Sequence, residues 1–250
     1  MTADEPCPVP PAWCEHGPSA HDGGAHDGAV RSGAAAPANA RAWLLIEFDG
    51  PWAAEATETA LEAPLAKLAI GADEMGIRVQ LIRRPARVGR PGSSAGNPAV
   101  FAGWTAGPAP WLRRTSVHDL DPSALAAFAA GEPPGGTAEP APLFLVCAHG
   151  RRDRCCARFG VPLARELAAR HPAEVWETTH VGGHRFAANL VLLPHGLYYG
   201  PVDAPAALAA TDAYQHGKLI ARGYRGRAGQ YLEAQEAECA AAARSGTLPL

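Results

Sequence analysis

The residues with the most chemistry in this chain are sulfurs and imidazoles gathered in two short segments, CAHGRRDRCC (Cys147–Cys156) and HVGGH (His180–His184). Thiolate and neutral imidazole both suit zinc and iron, so the pair of segments reads as a metal site. Position sharpens that reading. Cys147 closes the apolar run Leu143-Phe144-Leu145-Val146, where a strand gives way to a loop. Cys156 opens a helical stretch, where free backbone N–H groups and the helix dipole favour a thiolate. His180 and His184 are spaced to share a helix face, but Val181-Gly182-Gly183 between them predicts a loop instead. Such a loop lets the backbone approach closely and leaves N–H groups for an inorganic sulfide, which favours a cluster over a single ion. A Cys2His2 zinc site uses the same atoms. Its H-x3-H spacing fits, whereas C-x8-C is long beside the about 2–4 residues between knuckle cysteines. A zinc hydrolase of the HExxH kind is excluded, because Val181 stands where the glutamate belongs.

Several elements must position these groups. Residues 1–40, rich in Pro, Gly, Ala and His, read as a disordered tail. Trp43–Phe48 is a short buried strand closed by Asp49-Gly50-Pro51. A helical stretch from Ala53 to Met75 is kinked or split at Pro64. Ile77–Ile82 and Val100–Thr105 read as strands, with Val88–Gly96 a loop and Pro122–Ala130 a helix with proline in its first turn. Gly131–Pro142 is linker-like. Beyond it come the Leu143–Val146 strand, a helix over Cys155–Arg170, a strand at Val175-Trp176 and a loop over Thr179–Arg185. Asn189–Leu193 and Leu197–Tyr199 form a hairpin about Pro194-His195-Gly196. A helix runs from Ala204 past Tyr214, and a turn at Tyr224–Arg227 leads into a last helix, Gln230–Arg244. No internal repeat stands out. The β-α-β, loop, β-β-α order after the linker is that of a thioredoxin-like half, within an α/β architecture. The expected division is a tail (1–40), an N-terminal α/β region (41–130), a linker (131–142), a thioredoxin-like domain (143–222) and an RGR turn with a C-terminal helix (223–250).

Composition narrows the setting. The chain has 250 residues, 47% of them apolar, which suffices for a packed core. A formal net charge of −3 gives no pull toward nucleic acid or acidic membranes. No stretch approaches the roughly 20 apolar residues of a membrane span. The opening MTADEPCPVPPAWCEHG has neither a basic n-region nor an apolar h-region, so the expected compartment is the cytoplasm. Six cysteines there read as thiols or metal ligands rather than disulfides. No G-x-G-x-x-G follows a strand, so no flavin or NAD site is indicated.

The segments LFLVCAHGRRDRCCARFG and THVGGHRFAANLVLLPHGLYYGPV resemble the sucrase/ferredoxin-like family, and RAWLLIEFDGPWA and the RGR at Arg225–Arg227, with Gln235 and Glu236, extend the likeness over about residues 41–240. The resemblance implies a thioredoxin-like ferredoxin holding a 2Fe–2S cluster. In the branch with an HxGGH motif two cysteines and two histidines hold it, which here are Cys147, Cys156, His180 and His184. Cys155 is adjacent, and the spacing after Asp153 points to Cys156. The family's usual N-terminal start is not recognisable around Cys7 and Cys14. A glycosidase needs a matched carboxylate pair. None is evident, so the resemblance implies an electron carrier or redox sensor, with an unidentified protein as redox partner.

Imidazole in place of thiolate removes negative charge and raises the cluster potential. An iron-bound imidazole also has a ring proton to lose, so the potential is expected to fall with rising pH. His149, Arg151, Arg152 and Arg154 crowd the cysteine loop as N–H donors or as a cationic docking face. Asp153 is placed to cap the following helix, and Arg185 and Asn189 to order the HVGGH loop. The other readings of the same residues are a thioredoxin-like thiol–disulfide protein, which lacks a CxxC pair, and a structural zinc module.

Overall fold

The computed structural model describes residues 35–85, 98–183 and 186–250. Its first strand, β1 (Ala42–Glu47), is an unbroken apolar run because both of its faces are covered. Leu44 and Ile46 point to an outer layer formed by α1 (Leu65–Glu74) and α2 (Pro122–Ala129), whereas Trp43 and Leu45 point inward. The same alternation governs β6 (Leu143–Cys147). Phe144 and Val146 meet α3 (Arg154–Arg170) and α4 (Ala204–Gln215), while Leu145 and Cys147 join the inner core with Trp43 and Leu45. The sheet is therefore curled on itself, with its helices outside and one shared core within. Edge-to-face packing of Phe101 on Trp176, centroids 6.0 Å apart, ties the two sides of that core together.

In the first half β1 lies parallel to β2 (Arg78–Arg83) and antiparallel to β3 (Val100–Trp104), which pairs with β4 (Trp111–Thr115) and then β5 (Thr137–Ala138). In the second half β6 lies parallel to β7 (Val175–Thr178) and antiparallel to β8 (Leu190–Leu193), followed by β9 (Leu197–Tyr199) and β11 (Tyr224–Arg227). The halves repeat one strand order, and the antiparallel contact of β2 with β7 fuses them into a ten-stranded sheet. A separate two-stranded sheet joins β10 (Lys218–Ile220) to β12 (Thr247–Pro249), flanking α5 (Leu232–Ser245).

Some local expectations change. The helix expected over Ala53–Met75 is a 3-10 turn at Ala56–Glu58 and then α1, with Pro64 at the N-cap. A proline there disfavours helical geometry in the residue before it, so the two pieces cannot merge. Gly131–Pro142 contributes β5, and Tyr224–Arg227, expected as a turn, forms β11. The tail residues 1–34, with Cys7 and Cys14, and the loop Val88–Gly96 lie outside the described residues. Ala35 and Ala36 are tied by their N–H groups to the Arg225 carbonyl, and Gln235 of α5 bonds Ala36 at both its N–H and its C=O.

Candidate metal centre

Cys147 sits at the last position of β6 and is fully buried. Cys156 sits in the first turn of α3, also fully buried. That turn starts where the sequence places it: the Asp153 carboxylate accepts the Cys155 N–H at 2.8 Å, capping the helix. The helix can lie against the end of β6 because Gly160 has no side chain. A Cβ at Gly160 would fall 1.9 Å from the Cys147 carbonyl oxygen.

His180 follows β7, two residues past its end, and its Nδ1 lies 3.9 Å from Cys147 Sγ and 3.6 Å from Cys156 Sγ. The three donor atoms all fall within 4.8 Å of one another. Gly182 and Gly183, at φ +89° and +64°, carry the chain through left-handed backbone, so the HVGGH segment is a loop rather than a helix as far as it is described. His184 and Arg185 lie outside the described residues. Asn189 donates to the Gly183 carbonyl at 2.9 Å and orders this loop. Cys155 is buried but does not belong to the donor group.

The two thiols are not equivalent. A hydrogen bond from Cys156 holds Cys147 well below the ordinary thiol range. Burial opposes this, and the His180 ring and the Val181 N–H add to it. Cys156, the donor of that bond and itself desolvated, is pushed far up. Metal binding would require both thiols to lose their protons. The surrounding shell is apolar, with Val181, Trp176 and Tyr198 in the same core cluster as both cysteines. Burial also pushes the Tyr198 hydroxyl up to about 12. It stays protonated and donates to the Val181 carbonyl at 3.1 Å.

His149 is not aimed at sulfur. Its Nδ1 accepts the His180 N–H at 3.1 Å and its Nε2 lies 2.7 Å from the Ala53 carbonyl, which fixes a neutral Nε2–H tautomer. Burial lowers its pKa in keeping with that. Arg152 pairs with Glu55 at 2.6 Å across the mouth of a cleft of about 360 Å³. That cleft, lined also by Thr57, Arg78, Gln80 and Thr179, reaches His180, the one partly exposed member of the donor group. Sequence reasoning missed Gln80 and Arg78, which hold the His180 carbonyl. The available signal was a glutamine inside the strand Ile77–Ile82, a residue that a two-sided buried strand tolerates only when it is hydrogen-bonded.

The chain matches the sucrase/ferredoxin-like family over residues 35–226, and it belongs to that family. A stretch of 96 residues is 34% identical to altered inheritance of mitochondria protein 32 from Meyerozyma guilliermondii, covering 34% of this chain and 34% of that protein. The chain thus matches about a third of that relative's length. No solved structure matches it. Among the described residues no helix is long and apolar enough to cross a membrane.

Proposed function

We propose that this protein is an iron–sulfur electron carrier or redox sensor in which Cys147 and Cys156 hold one iron of a 2Fe–2S cluster and His180, together with His184, holds the other. The observation that carries the reading is the convergence of two buried thiols and an imidazole, all within 4.8 Å of one another. Membership of the ferredoxin-like family supports it, and so does the strand order of the second half, which we read as thioredoxin-like. When bound, the cluster would supply one-electron chemistry at a potential raised by its imidazole ligands. The residues of the chain do the rest. Cys147 offers the thiolate, the Val181 N–H bonds its sulfur, and Trp176, Val181 and Tyr198 keep water from it. His180 faces the cleft and gives the site its contact with the outside. We propose the cytoplasm as its compartment, to which the thiols of Cys147, Cys155, Cys156 and Cys239, none of them in a disulfide, are suited. A redox protein is the partner we propose.

A second reading, a single ion, is favoured by the sulfur-to-nitrogen distances of 3.6 and 3.9 Å. Bonds of about 2.3 Å to sulfur and about 2.0–2.1 Å to nitrogen in a tetrahedron give an edge of about 3.6 Å. Anaerobic purification followed by iron, acid-labile sulfide and zinc assays decides between them. Iron and sulfide near two per chain, with visible absorption, supports the cluster. Zinc alone overturns it in favour of the single ion. Neither metal, with reactive thiols, overturns both.

A further inference from the structure

Strands β2 and β7 pair through only Ile82 with Thr178 and Arg83 with Glu177. Beyond them the chain of the second half heads for the metal centre, and side chains take over from the ladder. The Thr179 N–H donates to the Leu81 carbonyl at 2.9 Å and its hydroxyl accepts the Leu81 N–H at 3.0 Å. Gln80, only 3% exposed, spends its amide entirely on this segment. Its Oε1 accepts from the hydroxyls of Thr178 at 3.2 Å and Thr179 at 2.8 Å, and its Nε2 donates to the His180 carbonyl at 3.3 Å. Arg78, seated over the Trp43 ring at 5.2 Å, donates to that same carbonyl at 3.3 Å. From the opposite direction His149, braced on Ala53, accepts the His180 N–H.

Both peptide groups flanking the His180 Cα are therefore held by side chains, and two of the three come from the half of the sheet that supplies no ligand. The next residues, Val181-Gly182-Gly183, run into left-handed glycines and are tied separately, by the Tyr198 hydroxyl at the Val181 carbonyl and by Asn189 at the Gly183 carbonyl. A ligand needs placement within about 0.5 Å, and the hydrogen bonds to the His180 N–H and C=O restrain its backbone on both sides. We infer that Gln80 and Arg78 are positioning residues, whose task is to aim the His180 imidazole at the two thiols. The inference rests on reading Cys147, Cys156 and His180 as ligands, and does not depend on which metal they hold.

The test uses the full-length chain, wild type and with Gln80→Met, Gln80→Glu and Arg78→Met, each also combined with His180→Ala. Metal-free protein is loaded with Co2+, whose visible bands report sulfur and imidazole ligation, and its release to a chelator is timed. Gln80→Glu keeps an acceptor for both threonine hydroxyls and puts a carboxylate oxygen in place of the amide that donates to the His180 carbonyl, and the His180→Ala background separates positioning from packing. Release is expected to quicken about tenfold in both Gln80 variants, the equivalent of roughly one buried hydrogen bond. The bands should shift, and the quickening should vanish in the His180→Ala background. Wild-type release rates and bands in Gln80→Glu and Arg78→Met would overturn the inference. So would an equal quickening with and without His180. A wild-type chain that binds Co2+ through sulfur and imidazole, yet carries no iron and sulfide when purified, sinks the cluster reading and leaves this one standing.

Discussion

Replacing Gly160 by alanine sets two effects against each other. In the interior of α3 the exchange gains about 0.5–1 kcal/mol of helix preference. At this place, however, the new methyl lands 1.9 Å from the Cys147 carbonyl oxygen and 2.9 Å from its carbonyl carbon. Cβ atoms essentially never approach such neighbours within 3.0 Å, so α3 must retreat by 3.0 less 1.9, or at least 1.1 Å. Strand β6 cannot give way, because Phe144, Leu145, Val146 and Cys147 are all fully buried. Overpacking of this kind costs about 1–3 kcal/mol. The net loss is then about 0–2.5 kcal/mol, or up to roughly 10 °C in melting temperature for a chain of this size. Metal loading should suffer more than stability, since the retreat separates Cys156 on the helix from Cys147 on the strand. Gly71 in α1 is the control, because a Cβ there finds its nearest neighbour at 3.7 Å. Gly71→Ala should raise the melting temperature by roughly 1–4 °C on helix preference alone. Thermal melts of metal-free protein, with iron content measured after loading, test both. A Gly160→Ala protein that melts at or above wild type and loads fully would refute the argument.

Cys156→Ser should abolish metal loading while Cys155→Ser retains it, since only Cys156 lies in the donor group; equal iron content in the two variants would contradict this. His180→Cys should lower the reduction potential and flatten its pH response, because a thiolate adds negative charge and has no ring proton to release; redox titration at several pH values is the check, and an unchanged potential would mean His180 is not a ligand. His195, whose Nδ1 lies 2.6 Å from the Tyr214 hydroxyl, is held below the ordinary histidine range by burial and by Arg227. The unfolded chain therefore takes up this proton first: stability is full above about pH 6.5 and declines as pH falls through that value. Urea unfolding at pH 7.5 and 5.5 should show a smaller acid loss in His195→Asn than in wild type, and identical losses would remove His195 from the account.

The core strands and the meeting of Cys147, Cys156 and His180 were legible because their signals are local. An apolar run ending in Cys147, an Asp153 cap before Cys156 and a glycine pair after Val181 each state their geometry within a few residues. Strands β5, β10 and β12 were not legible. They are two or three residues long, mostly exposed, and exist only through partners distant in the chain. The same holds for the clamp on His180. Gln80 and His180 are 100 residues apart, and nothing in β2 alone says which loop its amide will grip. His149 neighbours the cysteines in sequence, which suggests a donor to sulfur or part of a cationic face, whereas the turn after β6 swings it toward Ala53.

The seam between β2 and β7 carries one more implication. Each half, taken alone, would end its sheet on one of these strands with its backbone groups unpaired, and both strands are buried along most of their length. Open sheet edges recruit other chains. Covalent union of the two halves closes both edges at once, through few ladder bonds reinforced from each side. Gln80 and Arg78 reach across beyond one end, and Arg84, bonded to the carbonyls of Pro172, Ala173 and Val175, reaches across beyond the other. The half without candidate ligands thus covers the edge of its neighbour that would otherwise lie open to a stray strand.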